Sequence, residues 1–188
     1  MTKQHQFMWL DLETTGLDPT KGRVLEFAVV LCEDALGDDF AIVEQYSSTI
    51  RVPTETLASL SIDRYVREMH ERNDLWFDVA KSNTSVEEVD EFLASLAGTL
   101  SRGRLHAVSL AGSSVHFDLA WCRVHMPRFA RYLSHRVFDI TTLRRACDAW
   151  SPTPIEWPKR EAHRALADVH ATIAEARVAR KAMFGGAS

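Results

Sequence analysis

The chain has 188 residues, of which 46% are hydrophobic and 26% charged, with a formal net charge of −4. That length suffices for one domain with a sizeable core, and no apolar run approaches the roughly 20 residues that span a bilayer. Residues 1–118 carry 10 Lys+Arg against 20 Asp+Glu, and residues 119–188 carry 12 against 6, a balance that disfavours non-specific binding to long nucleic acid and leaves room for a short anionic ligand. Cys32, Cys122 and Cys147 are scattered, odd in number and lack the C-x-x-C spacing of a zinc site. Met1 to His5 does not begin an apolar signal segment. A cytoplasmic location in a reducing compartment is therefore expected.

Phe7 to Leu12 reads as a first strand, ending in the turn Thr15-Gly16-Leu17-Asp18-Pro19. Val24 to Cys32 is an apolar run suited to a buried strand, and Ala41 to Ile50 alternates as a third. Asp34 to Asp39, with Gly37, is the hairpin loop expected between them. Pro53 precedes a stretch from Thr54 to about Glu71 that reads as one or two short helices. Ser85 with Glu88 forms a capping-box pattern, and Val86, Val89, Phe92, Leu93, Leu96 and Leu100 follow at helical spacing. Leu105 to Ala111 is a short strand, and Phe117 to about His125 a helix stopped by Pro127. Val137 to Ile140 is a last strand, with Thr141 as the cap of a helix running to Trp150. Residues 151–162 hold three prolines and form a loop; Ala165 to Phe184 is a closing helix. No repeat, low-complexity tract or linker divides the chain. Three strands followed by strands alternating with helices predict one α/β domain with a mixed sheet.

Three separated acidic signals carry the chemistry. In Asp11-Leu12-Glu13 both carboxylates project from the same side of a strand, where they repel unless a cation lies between them. Asp118 opens a predicted helix after the turn Gly112-Ser113-Ser114, and taken alone it reads as an acid near a helix N-terminus. Asp168 alone could be a first-turn acid, and His163 alone an ordinary loop histidine. Five residues on an ideal helix span about 140° of rotation, so His163 and Asp168 converge only if His163 precedes the helix. The proline-rich loop puts it there. Four carboxylates suit two Mg²⁺ or Mn²⁺ ions, and a histidine outside the ligand set can take a proton from an attacking water. The set suits phosphodiester hydrolysis.

The segments Trp9 to Pro19, Leu110 to Asp118, Arg136 to Leu143 and His163 to Asp168 together resemble the DEDDh 3′→5′ exonucleases, a branch of the ribonuclease H-like superfamily. Within that branch the chain is most similar to the oligoribonuclease family, over nearly its whole length. The resemblance implies a mixed sheet of about five strands, the first three antiparallel, flanked by helices. It implies metal-binding roles for Asp11, Glu13, Asp118 and Asp168, and a general base in His163. Leu17 matches an apolar wedge against a substrate base, and Tyr65 an aromatic, usually tryptophan, that stacks on the other. Ser114, Arg136 and Thr141 match contacts to the terminal phosphate, the last two supplied by the partner of a homodimer. The implied substrate is short RNA, down to dinucleotides, and the product 5′-mononucleotides.

The chain departs from the family pattern near that cap. Ser113 stands where asparagine is usual, His135 where tyrosine is usual, Thr14 for methionine and Phe117 for Gln or Glu. The catalytic set is intact. Two other readings therefore compete: a trimming or proofreading exonuclease on DNA or longer RNA, and a silent nucleic-acid-binding module. His70, His116, His125 and Asp139 read as structural, and Arg144 and Arg145 as a solvated helix face.

Overall fold

In the computed structural model, which describes residues 7–32, 41–159 and 163–185, five strands form one sheet. They are β1 (Phe7–Thr14), β2 (Val24–Cys32), β3 (Ile42–Thr49), β4 (Ser109–Gly112) and β5 (Phe138–Asp139), in the order β3-β2-β1-β4-β5. β1 pairs antiparallel with β2, and β2 with β3; β4 joins β1 in parallel and β5 joins β4 in parallel. The mixed sheet with three antiparallel leading strands is the expected one. The expected hairpin loop at Asp34 to Asp39 lies outside the described residues.

Side chains alternate across β1, and this alternation sorts the two cores. Met8, Leu10 and Leu12 face α4 (Val86–Ser101), α5 (His116–His125) and the short α6 (Pro127–Ala130), packing among Val89, Leu93, Trp121 and Phe129. Trp9 faces the other way, toward α7 (Ile140–Trp150) and α8 (Ala165–Phe184), among Val30, Ile140, Val169 and Ile173. Asp11 and Glu13 continue the Trp9 face beyond the apolar part of the strand. The α8 side of the sheet is therefore greasy at one end and acidic at the other. A third cluster, Leu25, Val52, Leu75 and Val79, seats α3 (Leu75–Lys81) against the end of β2.

Several boundaries differ from expectation for local reasons. The stretch after Pro53 breaks into α1 (Thr54–Ser59) and α2 (Arg64–Arg72), and α3 follows, started by Asn73 Oδ1 accepting from Leu75 N–H at 3.2 Å. β4 starts at Ser109 rather than Leu105, since Leu105 is exposed and His106 takes a positive φ of 55°. β5 is only two residues long, and Asp139, not Thr141, caps α7: its Oδ1 accepts from Thr142 N–H at 3.1 Å. The capping box at Ser85 and Glu88 forms as its pattern predicts. Arg144, read as part of a solvated face, is half-exposed but engaged: its Nη1 donates at 3.1 Å to Glu175 Oε1, tying α7 to α8. Among the described residues, no helix is long and apolar enough to cross a membrane.

Gly112, in the second motif, is held by close approach. A Cβ there would meet Leu10 O at 2.8 Å and Val115 Cβ at 3.1 Å. Backbone cannot yield as a flexible side chain can, so Gly112→Ala should cost about 1–3 kcal/mol. A chemical-denaturation midpoint shifted by less than a tenth of the wild-type value would contradict this packing.

Candidate active site

Three segments converge on one cleft of about 460 Å³. Its lining includes Asp11, Glu13, Leu17, Ser114, Asp118, His163 and Asp168. β1 brings Asp11 and Glu13, the first turn of α5 brings Asp118, and the first turn of α8 brings Asp168. One carboxylate oxygen from each of Asp11, Glu13 and Asp168 lies within 4.8 Å of the other two. An all-oxygen set at this separation fits a hard divalent cation. Asp118 lines the same cleft outside that cluster. It is buried, and its Oδ1 accepts from Leu12 N–H at 3.0 Å, which fixes α5 against β1.

The proton affinities follow from crowding. Burial pushes the Glu13 carboxyl up to about 9, with Asp11, Asp168 and Glu26 raising it further and Arg164 opposing them. Asp118 is also raised, first by burial and then by Asp11. A bound cation reverses this balance by favouring both ionised carboxylates. The cluster thus fits a divalent ion on its charge as well as its donor atoms.

His163 precedes α8, as the rotation argument requires, and is exposed at the cleft. Its backbone has a φ of 41°, an uncommon conformation for a non-glycine residue, and its carbonyl accepts from Asn73 Nδ2. Leu17 tips the loop after β1 and is 83% exposed, so it contributes an apolar face to the cleft rather than to the core. That loop is pinned. Thr15 N–H donates to Arg23 O at 3.0 Å, Arg23 N–H to Thr15 Oγ1 at 2.8 Å, and His125 Nε2 to Pro19 O at 2.8 Å.

The predicted cap divides. Thr141 Oγ1 lies 2.8 Å from Ser113 Oγ and 3.2 Å from Ser114 Oγ of the same chain. Thr141, at the start of α7, thus stands beside the second motif of its own chain. Tyr65, on α2, is exposed and is not among the cleft-lining residues; His135 and Arg136 are likewise exposed and outside that lining.

Other groups were not singled out as parts of the site by sequence reasoning. His70 is fully buried on α2; its Nε2 donates to Thr14 O at 2.9 Å, and its Nδ1 lies 3.9 Å from Glu13 Oε2. Burial holds its pKa below the ordinary value, so the ring is neutral beside the acids. His116 lines the cleft, its Nδ1 3.7 Å from Asp139 Oδ2. Glu26 lies opposite Glu13 in the β1–β2 register and is buried. An acid inside the otherwise apolar run Val24 to Cys32 is the signal that would have found it.

Comparison with known proteins agrees with this geometry. A family model described as Exonuclease (RNase_T) matches residues 8–176. The mitochondrial oligoribonuclease of Mus musculus is 32% identical over 182 residues, covering 95% of this chain and 73% of its own. The oligoribonuclease of Burkholderia lata is 35% identical over 176 residues, covering 93% and 82%. That of Vibrio cholerae is 31% identical over 179 residues, covering 94% of each chain. In fold the chain is similar to the zinc-bound E. coli ExoI–ssDNA complex, with a TM-score of 0.68, 22% identity and 98% coverage of this chain. It spans about two fifths of that larger chain, 42%.

The raised Glu13 carboxyl sets a direction for pH. The folded state binds this proton more tightly than the unfolded state, where the value is near 4.5, so unfolding releases it between about 4.5 and about 9. The metal-free protein should therefore lose thermal stability as pH rises through that window, and Asp118 adds in the same direction. Glu13→Gln should flatten the slope, and Mn²⁺ should restore stability at neutral pH. A melting series with an identical slope in wild type and Glu13→Gln would rule out this origin.

Proposed function

The chain belongs to the oligoribonuclease family of 3′→5′ exonucleases, and within it we propose a two-metal hydrolase that reduces short RNA, dinucleotides above all, to 5′-mononucleotides. The observation that carries this reading is the cleft itself, in which three carboxylates lie within 4.8 Å of one another, with Asp118 and His163 in the same lining. Asp11, Glu13 and Asp168 would hold one Mg²⁺ or Mn²⁺ ion, and Asp118 would help to hold a second. When bound, such ions neutralise charge on the phosphoryl oxygens and lower the pKa of the attacking water. His163 takes the proton from that water at its imidazole, from an exposed position that a solvent molecule can reach.

Substrate grip comes from Leu17 and Ser114 in the lining and from residues outside it. The exposed side chain of Leu17 wedges against one base. The hydroxyls of Ser114 and Thr141, 3.2 Å apart, offer hydrogen bonds to the terminal phosphate. Tyr65 stacks on the other base, and His135 and Arg136 complete the phosphate cap across a homodimer interface. The whole chain works as one exonuclease domain, in the cytoplasm, where Cys32, Cys122 and Cys147 stay reduced.

One observation favours a second reading, trimming of DNA or longer RNA: Tyr65, His135 and Arg136 lie outside the cleft lining, so within one chain these three do not close it. A turnover series on RNA of increasing length from the dinucleotide, with a matched DNA series, separates the two. A steep preference for the RNA dinucleotide is expected; equal rates on long RNA or DNA would transfer the assignment to trimming. His163→Ala should lower kcat about 10²–10⁴-fold while Mn²⁺ affinity is retained. Unchanged kcat in that variant would remove His163 as the base.

A further inference from the structure

Arg164, the residue after the base, is engaged by three segments at once. Its Nη2 donates to Glu26 Oε1 at 2.9 Å and its Nε to the same carboxylate at 3.2 Å. Nη2 also reaches Asp78 Oδ2 at 2.9 Å, and Nη1 donates to Asn73 O at 3.2 Å. Glu26 Oε2 in turn accepts from Ala165 N–H at 2.9 Å, at the first residue of α8. Asn73 closes the circuit from the other side, its amide donating to the carbonyl of His163. β2, the α2–α3 junction and the start of α8 thus meet around one guanidinium.

Two physical needs are answered together. A left-handed backbone at a non-glycine residue is strained and persists only where its surroundings over-determine it; the ties on Arg164, Ala165 and the His163 carbonyl do so. Glu26, buried opposite Glu13, would otherwise add a further negative charge beside the three acids. The planar guanidinium donates to both of its oxygens and offsets that charge.

We propose that Arg164 is a positioning residue for His163, clamped by Glu26, Asp78 and Asn73 so that the base stands at a fixed place over the acids. The proposal rests on the assignment of His163 as base. Lysine cannot reproduce the fork, so Arg164→Lys keeps the charge and loses the geometry.

The test is a double-mutant cycle with kinetics and Mn²⁺ titration. Arg164→Lys should lower kcat about 10–100-fold, the scale on which small misplacements of a reacting group act. KM and Mn²⁺ affinity should stay within about threefold of wild type. In the His163→Ala background the same change should cost nothing further, because its effect runs through the missing imidazole. Asn73→Ala, which removes the tie to the His163 carbonyl and also the Oδ1 contact that starts α3, should reproduce the pattern more weakly and serves if Arg164→Lys does not fold. An equal loss in both backgrounds, or a loss confined to metal affinity, would overturn the positioning role. Normal turnover of His163→Ala alone would instead overturn the assignment of the base.

Discussion

Glu13 shares the end of β1 with Asp11, meets Asp168 from α8 and has Glu26 opposite it on β2. Carboxylates this close and this buried repel one another, and burial penalises each charge separately. The fold answers in three ways. The apolar half of the Trp9 face carries the packing that holds α8 against the sheet, so the acidic half need not contribute cohesion. Asp118 is anchored by the Leu12 amide, which donates to it from within β1. Glu26 is withdrawn into a pairing with Arg164 and the Ala165 amide. Divalent ions then convert the remaining repulsion into binding energy.

How much of this was legible depends on the range of the signal. β2, α4 and α8 are written in local periodicity or apolar runs, and their bounds agree with the sequence reading to within a residue or so. Asp11 and Glu13 were legible because charged residues at the end of an apolar strand are costly unless used, and Asp118, His163 and Asp168 through the family resemblance. Their convergence on one cleft is what the resemblance implied. The cap was less legible. The hydroxyl pairing of Thr141 with Ser113 and Ser114 depends on where β5 ends relative to β4, a pairing only two residues long. No local pattern sets that register.

The histidines make the same point. His70 and His125 offered no partner in the sequence because their partners are backbone carbonyls 56 and 106 positions away. Backbone acceptors are the same at every residue, so only the folded geometry selects Thr14 and Pro19. Both contacts hold the segment that carries Glu13 and Leu17. The Glu26–Arg164 pair is likewise long-range, 138 positions apart, and only the oddity of an acid in an apolar run hinted at it.

The loop after β1 is closed at its base by Thr15 and Arg23, stiffened by Asp18 accepting from Thr20, and tethered by His125. Leu17 at its tip is therefore a preformed shelf. A ligand that lands on it meets a surface whose ordering was completed when the protein folded, so little conformational entropy is lost at the moment of contact. For a ligand as small as two nucleotides, which has few contacts to spare, that economy matters more than for a long strand. If short RNA is the ligand, as proposed, this exposed leucine would serve as a rigid template for a flat ring.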